Sequence, residues 1–260
     1  MHSSRWWSVF SNWPTYTLLI VWTGWTAPPA RAVVNTEVTR VIFNAGESHY
    51  SLALANSAQH PALVQIWTDE GDPLSQPAET ITPIVAIPPV FKMQPTEIRT
   101  VKLQLAEKPE LARERESLYW LNIYQIPPMT DQDAKTRQKL VLPLRIRMKV
   151  FIRPQGVGPL REQDGERLTF TFQPQEAQLY VNNPTPWYIT LAALACDNTS
   201  ATPLMIAPLS SQPLALSGKV GHCRTVRYEL INDHGNRWVY EKPIINSGAP
   251  ENTVGRNPRR

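Results

Sequence analysis

The residues that could do chemistry in this chain are few, and their spacing does not suit turnover. Among 260 residues there are 5 histidines and 2 cysteines, with no G-x-S-x-G elbow, G-x-G-x-x-G turn, Walker loop or H-E-x-x-H helix. Asp233-His234 reads as half a catalytic triad. It lies, however, in Asn232-Asp233-His234-Gly235-Asn236 between two strand-like runs, which is hairpin chemistry. Glu114 and Glu116 are spaced as a carboxylate pair, but Arg113 and Arg115 interleave with them, as on a solvated face or in an ion-pair network. A zinc site at Cys223 would need three or four ligands, and only His222 stands beside it. The expectation is a protein that is not an enzyme, with no catalytic residue, no metal and no cofactor.

A different pattern stands out late in the first half. Leu140, Leu142, Leu144, Ile146 and Met148 form an unbroken alternate row, with Val141, Pro143, Arg145, Arg147 and Lys149 opposite. A period of two places these sets on opposite faces of a strand. Pro143 has no N–H and favours a strand with one unpaired side. A long edge strand bearing large aliphatic side chains promotes aggregation unless a partner covers it.

The elements around this row are short strands. The 25 prolines are about a tenth of the chain, and proline spread this evenly breaks helices. Alternating runs occur at 36–43, 50–55, 63–68, 98–105, 118–126 and 140–152. After an interruption at Arg153-Pro154-Gln155-Gly156-Val157-Gly158-Pro159 they resume at 168–172, 178–181, 187–195, 204–207, 223–232 and 237–241. Turn residues separate them, which is the pattern of antiparallel sandwiches. The fold class expected is all-β: two immunoglobulin-like sandwiches, spanning 33–152 and 160–246, with a hinge at 153–159.

The ends read differently. Arg5, then the apolar run 16–25, then Ala30-Arg31-Ala32 make a secretory leader over 1–32 with a cleavage site before Val33. Residues 247–260 are polar and read as a disordered tail. Export implies an oxidising compartment, in which Cys196 and Cys223 have only each other to pair with. Net charge is +4, and two of the positives, Arg5 and Arg31, fall in the leader, so charge gives no argument for nucleic acid.

Several segments together resemble a known family. The run from Leu111-Ala112-Arg113-Glu114-Arg115-Glu116 through Ser117-Leu118-Tyr119-Trp120-Leu121-Asn122 to Ile123-Tyr124-Gln125-Ile126-Pro127-Pro128 is similar to the signature of the periplasmic chaperones of pilus assembly, of the PapD type. Glu114 departs from that signature, where a smaller Asp, Asn or Ser is usual. Thr39-Arg40-Val41-Ile42-Phe43, Ile87-Pro88-Pro89-Val90, Lys149-Val150-Phe151-Ile152-Arg153-Pro154, Asn183-Pro184-Thr185-Pro186-Trp187-Tyr188 and Ile231-Asn232-Asp233-His234-Gly235 resemble further motifs of the same family.

The resemblance implies two sandwiches in a boomerang arrangement and a chaperone in the periplasm that uses no ATP. Its partners would be pilus subunits and an outer-membrane usher, with self-association capping the donor strand when unloaded. It implies that Leu140, Leu142, Leu144, Ile146 and Met148 form a strand donated to a subunit by β-augmentation. Arg40 and Lys149 would grip the subunit's C-terminal carboxylate, and Glu116, Arg153 and Asp233 would pair between the domains. Strict alternation puts Lys149 opposite the leucines, so a bulge near 146–148 or the lysine's reach is needed to bring them to one task. The loop 129–139 carries no cysteine, which resembles the short-loop chaperones of rod-like pili. A secreted tandem immunoglobulin-like adhesion or binding module shares the sandwiches and the leader, but it gives no reason for the aliphatic row.

Overall fold

A computed structural model describes residues 34–106, 111–126, 128, 142–173, 176, 178–196, 199–201, 203–217 and 224–246. The leader 1–32, the loop 129–139, Leu140, Cys223 and the tail 247–260 lie outside the described residues.

The first sandwich pairs a four-stranded sheet, in the order β1-β3-β7-β5, with a five-stranded one, β2-β9-β8-β4-β6. Its strands are β1 (Val34–Thr36), β2 (Arg40–Phe43), β3 (His49–Asn56), β4 (Ala62–Asp69), β5 (Ile84–Ile87), β6 (Val90–Met93), β7 (Ile98–Leu105), β8 (Ser117–Ile126) and β9 (Leu144–Ile152). Alternation sets the inward faces. Leu52 and Leu54 of β3, Val101 and Leu103 of β7, and Leu121 and Ile123 of β8 are fully buried in one core. Burying each such side chain is worth roughly 1.5–3 kcal/mol.

The run 36–43 was expected as one strand, and the structure divides it. β1 pairs antiparallel with β3, whereas β2 pairs parallel with β9 in the opposite sheet. The chain bends between them, where the Thr36 hydroxyl donates to the Val38 carbonyl at 2.6 Å. The run 140–152 is corrected likewise. The described strand begins at Leu144, and Leu142 and Pro143 precede it outside the ladder. β5 and β6 escaped the sequence reading because each has only four residues and Pro88-Pro89 separates them.

The second sandwich holds α1 (Glu162–Gly165), β10 (Thr169–Gln173), β11 (Gln178–Asn183), β12 (Ile189–Cys196), β13 (Thr199–Ala201), β14 (Leu204–Ile206), β15 (Ser210–Pro213), β16 (Thr225–Ile231) and β17 (Arg237–Asn246). β17 pairs antiparallel with β16 through Pro243 and then parallel with β10 from Ile244. Leu168, Phe170, Leu191, Tyr228 and Leu230 fill a separate core. Two buried phenols close its end: Tyr228 Oη donates to the Gly165 carbonyl and Tyr240 Oη to that of Glu162, both at 2.8 Å. Cys196 is buried and disulfide-bonded.

Candidate functional site

β9 carries the site, because it ends one sandwich and leads into the other. It pairs with β8 without a break from Leu144↔Gln125 to Ile152↔Ser117. Strict alternation therefore holds along its whole length, and no bulge occurs near 146–148. Even residues point inward: Val150 and Ile152 join the core, and so does Met148, which is 4% exposed. Ile146 is half-buried against the same cluster, while Leu144 is 43% and Leu142 68% exposed. The aliphatic row thus runs off the end of the core into solvent. Met148 belongs to the sandwich's own packing, and Leu142 to Ile146 form the part that can be offered elsewhere.

The other edge of β9 is half open. β2 covers it only from Arg40↔Lys149 to Phe43↔Ile152. From Leu144 to Met148 no described strand lies on that side, so the main-chain groups there can accept another strand.

The open edge stops at two cations. Arg40 and Lys149 are register partners on neighbouring strands and reach across to the second sandwich. Arg40 Nη1 donates to the Ile231 carbonyl at 3.3 Å, and Lys149 Nζ to Thr190 Oγ1 at 3.1 Å. No described carboxylate lies within salt-bridge distance of either. Burial, with the Arg40 charge adding to it, lowers the Lys149 ammonium to about 8. Burial also lowers Arg40, against the pull of Asp233 and Glu116. Arg40 Nε is buried without a hydrogen-bond partner among the described residues. Two half-buried positive charges with unused donor capacity suit a small anion, and a carboxylate would match both charge and fork geometry.

Beneath this pair lies a buried ionic knot. Arg153 Nε donates to Glu116 Oε1 at 2.7 Å, and its two terminal nitrogens grip both Asp233 oxygens at 2.8 Å. Glu116 Oε2 accepts the Tyr188 N–H at 2.8 Å, so this carboxylate ties β8 to the entry of β12. Burial pushes Glu116 up, against the opposing pull of Arg153. Burial alone would lower Arg153, but the Asp233 hydrogen bonds and both acidic charges more than reverse that, so the guanidinium stays charged. Of the two readings of 113–116, the solvated face suits exposed Glu114 and the ion-pair network suits Glu116, which is 3% exposed. Asp233 faces Arg153 rather than His234, and the hairpin is closed by Asn232 Oδ1 accepting the His234 and Asn236 N–H groups. Gly235, at φ 85°, lies so close to Thr39 that a Cβ there would stand 2.8 Å from the Thr39 hydroxyl.

Sequence reasoning missed the second sandwich's contacts to the two cations, Thr190 and the Ile231 carbonyl. Their sequence signal is slight: Ile231 opens the motif at 231–235, and Thr190 lies two residues beyond the motif at 183–188. Among the described residues no cluster of His, Cys, Asp and Glu could hold a metal ion, and no helix is long and apolar enough to cross a membrane.

Comparison with known proteins agrees with this geometry. Residues 33–158 match the family described as "Pili and flagellar-assembly chaperone, PapD N-terminal domain", and residues 163–242 match "Pili assembly chaperone PapD, C-terminal domain". The chain belongs to the PapD family of pilus assembly chaperones, whose members are not enzymes. It is 35% identical to Chaperone protein FimB/FhaD of Bordetella pertussis, over 84% of this chain and 91% of that one. It is 33% identical to Chaperone protein MrkB of Klebsiella pneumoniae, over 76% of this chain and 85% of that one. The crystal structure of the CupB2 chaperone of Pseudomonas aeruginosa superposes with a TM-score of 0.68 at 30% identity, covering 81% of this chain and all of that one. Proteins of this likeness have two immunoglobulin-like domains, as the two sandwiches here do.

Proposed function

We propose that this protein is exported to the periplasm, holds a pilus subunit by lending it the open edge of β9, and passes it to an outer-membrane usher. The observation that carries the reading is where β2 begins. β2 runs parallel to β9 and starts at Arg40, so a guest strand lying in line with it and running in the same direction would end at the cations. Its last group is then a C-terminal carboxylate, placed between Arg40 and Lys149. Each ladder hydrogen bond contributes roughly 0.5–1.5 kcal/mol net, and hydrogen bonds to a charged group about 1.5–3 kcal/mol. Leu142, Leu144 and Ile146, with Leu140 ahead of them, enter successive apolar pockets of the guest. A fixed terminus sets the register, since a slip of one residue would turn the aliphatic row outward.

The leader 1–32, the hinge 153–159 and a Cys196–Cys223 bridge belong to the same reading. So does self-association, which would cover the open edge when no subunit is present. Co-expression of the chaperone with a subunit tests it. A 1:1 periplasmic complex is expected, and it should be lost when the subunit's last residue carries an amide in place of the free acid in a reconstituted peptide assay. Equal binding of acid and amide peptides would overturn the anchor. Affinity of the isolated protein for a glycan, with no subunit capture, would favour an adhesion module instead.

A further inference from the structure

The outer face of the five-stranded sheet carries three cross-strand rows. Gln65, Tyr124 and Arg145 form one, Trp67, Asn122 and Arg147 the next, and Asp69, Trp120 and Lys149 the last. The contacts run diagonally between the rows. The Arg145 guanidinium lies 4.7 Å from the Trp67 ring centroid, and that of Arg147 4.5 Å from Trp120. Lys149 Nζ lies 5.9 Å from the same Trp120 ring.

Asp69 is the hub of this array. It is 1% exposed, and its carboxylate accepts from Asn122 Nδ2 at 2.6 Å, the Gly71 N–H at 2.7 Å, Ser75 Oγ at 3.1 Å and Arg147 Nη2. Arg147 Nε has no partner among the described residues, so Asp69 is the described polar tether of that guanidinium. Arg145 is held by the same group directly, its Nη2 lying 3.7 Å from Asp69 Oδ2, and through shared partners as well. Its Nε donates to Asn122 Oδ1 at 2.9 Å, its Nη1 to the Pro73 carbonyl at 2.7 Å and its Nη2 to Ser75 Oγ at 3.2 Å. Burial alone would raise the Asp69 pKa, but the bonds from Arg147, Asn122, Gly71 and Ser75 bring it below the usual carboxylate value.

The segment held this way is the one the ladder holds least. Leu144 to Met148 pair with β8 only, whereas Lys149 to Ile152 pair on both sides. We infer that Asp69 is a positioning residue for the donated strand: through Arg145 and Arg147 it pins the basic face of β9 to the sheet, so that the open edge stays extended and the aliphatic face stays turned toward the guest. The inference rests on the donor-strand reading above and adds to it a fixed backing for the strand. It also gives the long connection after β4 a task, since residues 71–75 supply part of the clamp.

Hydrogen exchange on the full-length mature protein, read peptide by peptide, tests it without any subunit. In Asp69→Ala, amides of Leu144–Met148 that bond to β8 should exchange about tenfold faster, while those of Lys149–Ile152 and of the β3–β7 pair keep their wild-type rates. Unchanged exchange at Leu144–Met148, or an equal rise across the first sandwich, would overturn the inference. Should Asp69→Ala fail to fold, Arg147→Gln is expected to give the same local pattern, and its absence there is equally decisive. A second arm uses a synthetic peptide of alternating leucine and threonine with a free C-terminal acid. Asp69→Ala should bind it about tenfold more weakly while keeping the wild-type preference for acid over amide. Wild-type protein that ignores the peptide overturns the donor-strand reading itself. Wild-type binding matched by Asp69→Ala overturns only the role of Asp69.

Discussion

Replacing Arg153 by methionine removes the centre of the ionic knot and leaves its volume largely filled. Arg153 and Glu116 side chains are each 2% exposed, whereas Asp233 is 19% exposed. Water can therefore re-solvate Asp233 in the variant but not Glu116. Stranding a buried partner in this way costs about 3–5 kcal/mol. That is a large part of the roughly 5–15 kcal/mol that keeps a domain folded. The cost should depend on pH. Without Arg153 the Glu116 carboxyl rises further above its unfolded value, and a raised acid destabilises only where it must ionise. The Arg153→Met penalty is therefore largest at pH 7 and shrinks as pH falls toward 5. Adding Glu116→Gln removes the stranded charge, so the double variant should recover at least half of the loss. Urea titrations followed by tryptophan fluorescence at pH 5 and pH 7 supply all the numbers. An Arg153→Met penalty under about 1 kcal/mol at pH 7, or a double variant no better than the single one, would refute the reasoning.

Three further outcomes can be checked alongside. Lys149 falls to about 8 in the folded protein from an unfolded 10.5, so the unfolded chain binds more protons between those values and stability should rise with pH across that window. Lys149→Met should accordingly stabilise the free chaperone at pH 7 by on the order of 1 kcal/mol, read by thermal melts, and wild-type affinity for a free-acid peptide should weaken above pH 8. The aliphatic row should divide by burial: Leu142→Glu or Leu144→Glu keeps a near-wild-type melt and loses subunit capture, whereas Met148→Glu unfolds the first sandwich, and a Met148→Glu protein as stable as wild type would contradict the division. Gly165→Ala drives a methyl into the Tyr240 phenol and should cost about 1–3 kcal/mol, seen as a lower melting temperature.

Much of the fold was legible because a strand buried on one face must alternate, as 98–105 does around Val101 and Leu103. Length defeated the same signal at β5, β13 and β15, where three or four residues give no period to detect. The site was legible in part. Arg40, Lys149, Glu116, Arg153 and Asp233 stand in motifs, and the structure brings them together from both sandwiches. Alternation alone could not say where the aliphatic row leaves the core, because Leu144 and Met148 have the same parity and differ only in how far the opposite sheet extends. Nor could any local pattern show Asp69 as a hub, since its partners come from β8, β9 and the turn at Gly71–Ser75.

The bend between β1 and β2 has a consequence for the shape of the vacancy on β9. With Arg40 opposite Lys149, each step back along an unbent strand would place Thr36 opposite Arg145 and Val34 opposite Pro143. The chain's own opening residues have the length to complete the ladder, and the departure to β3 at Glu37–Thr39 is what stops them. Among the described residues, the edge of β9 from Leu144 to Met148 is thus one that β1 leaves unpaired. On the donor-strand reading proposed above, straightening Glu37–Thr39 would let the chain cover its own open edge, and a guest strand would take the place that the bend leaves unpaired.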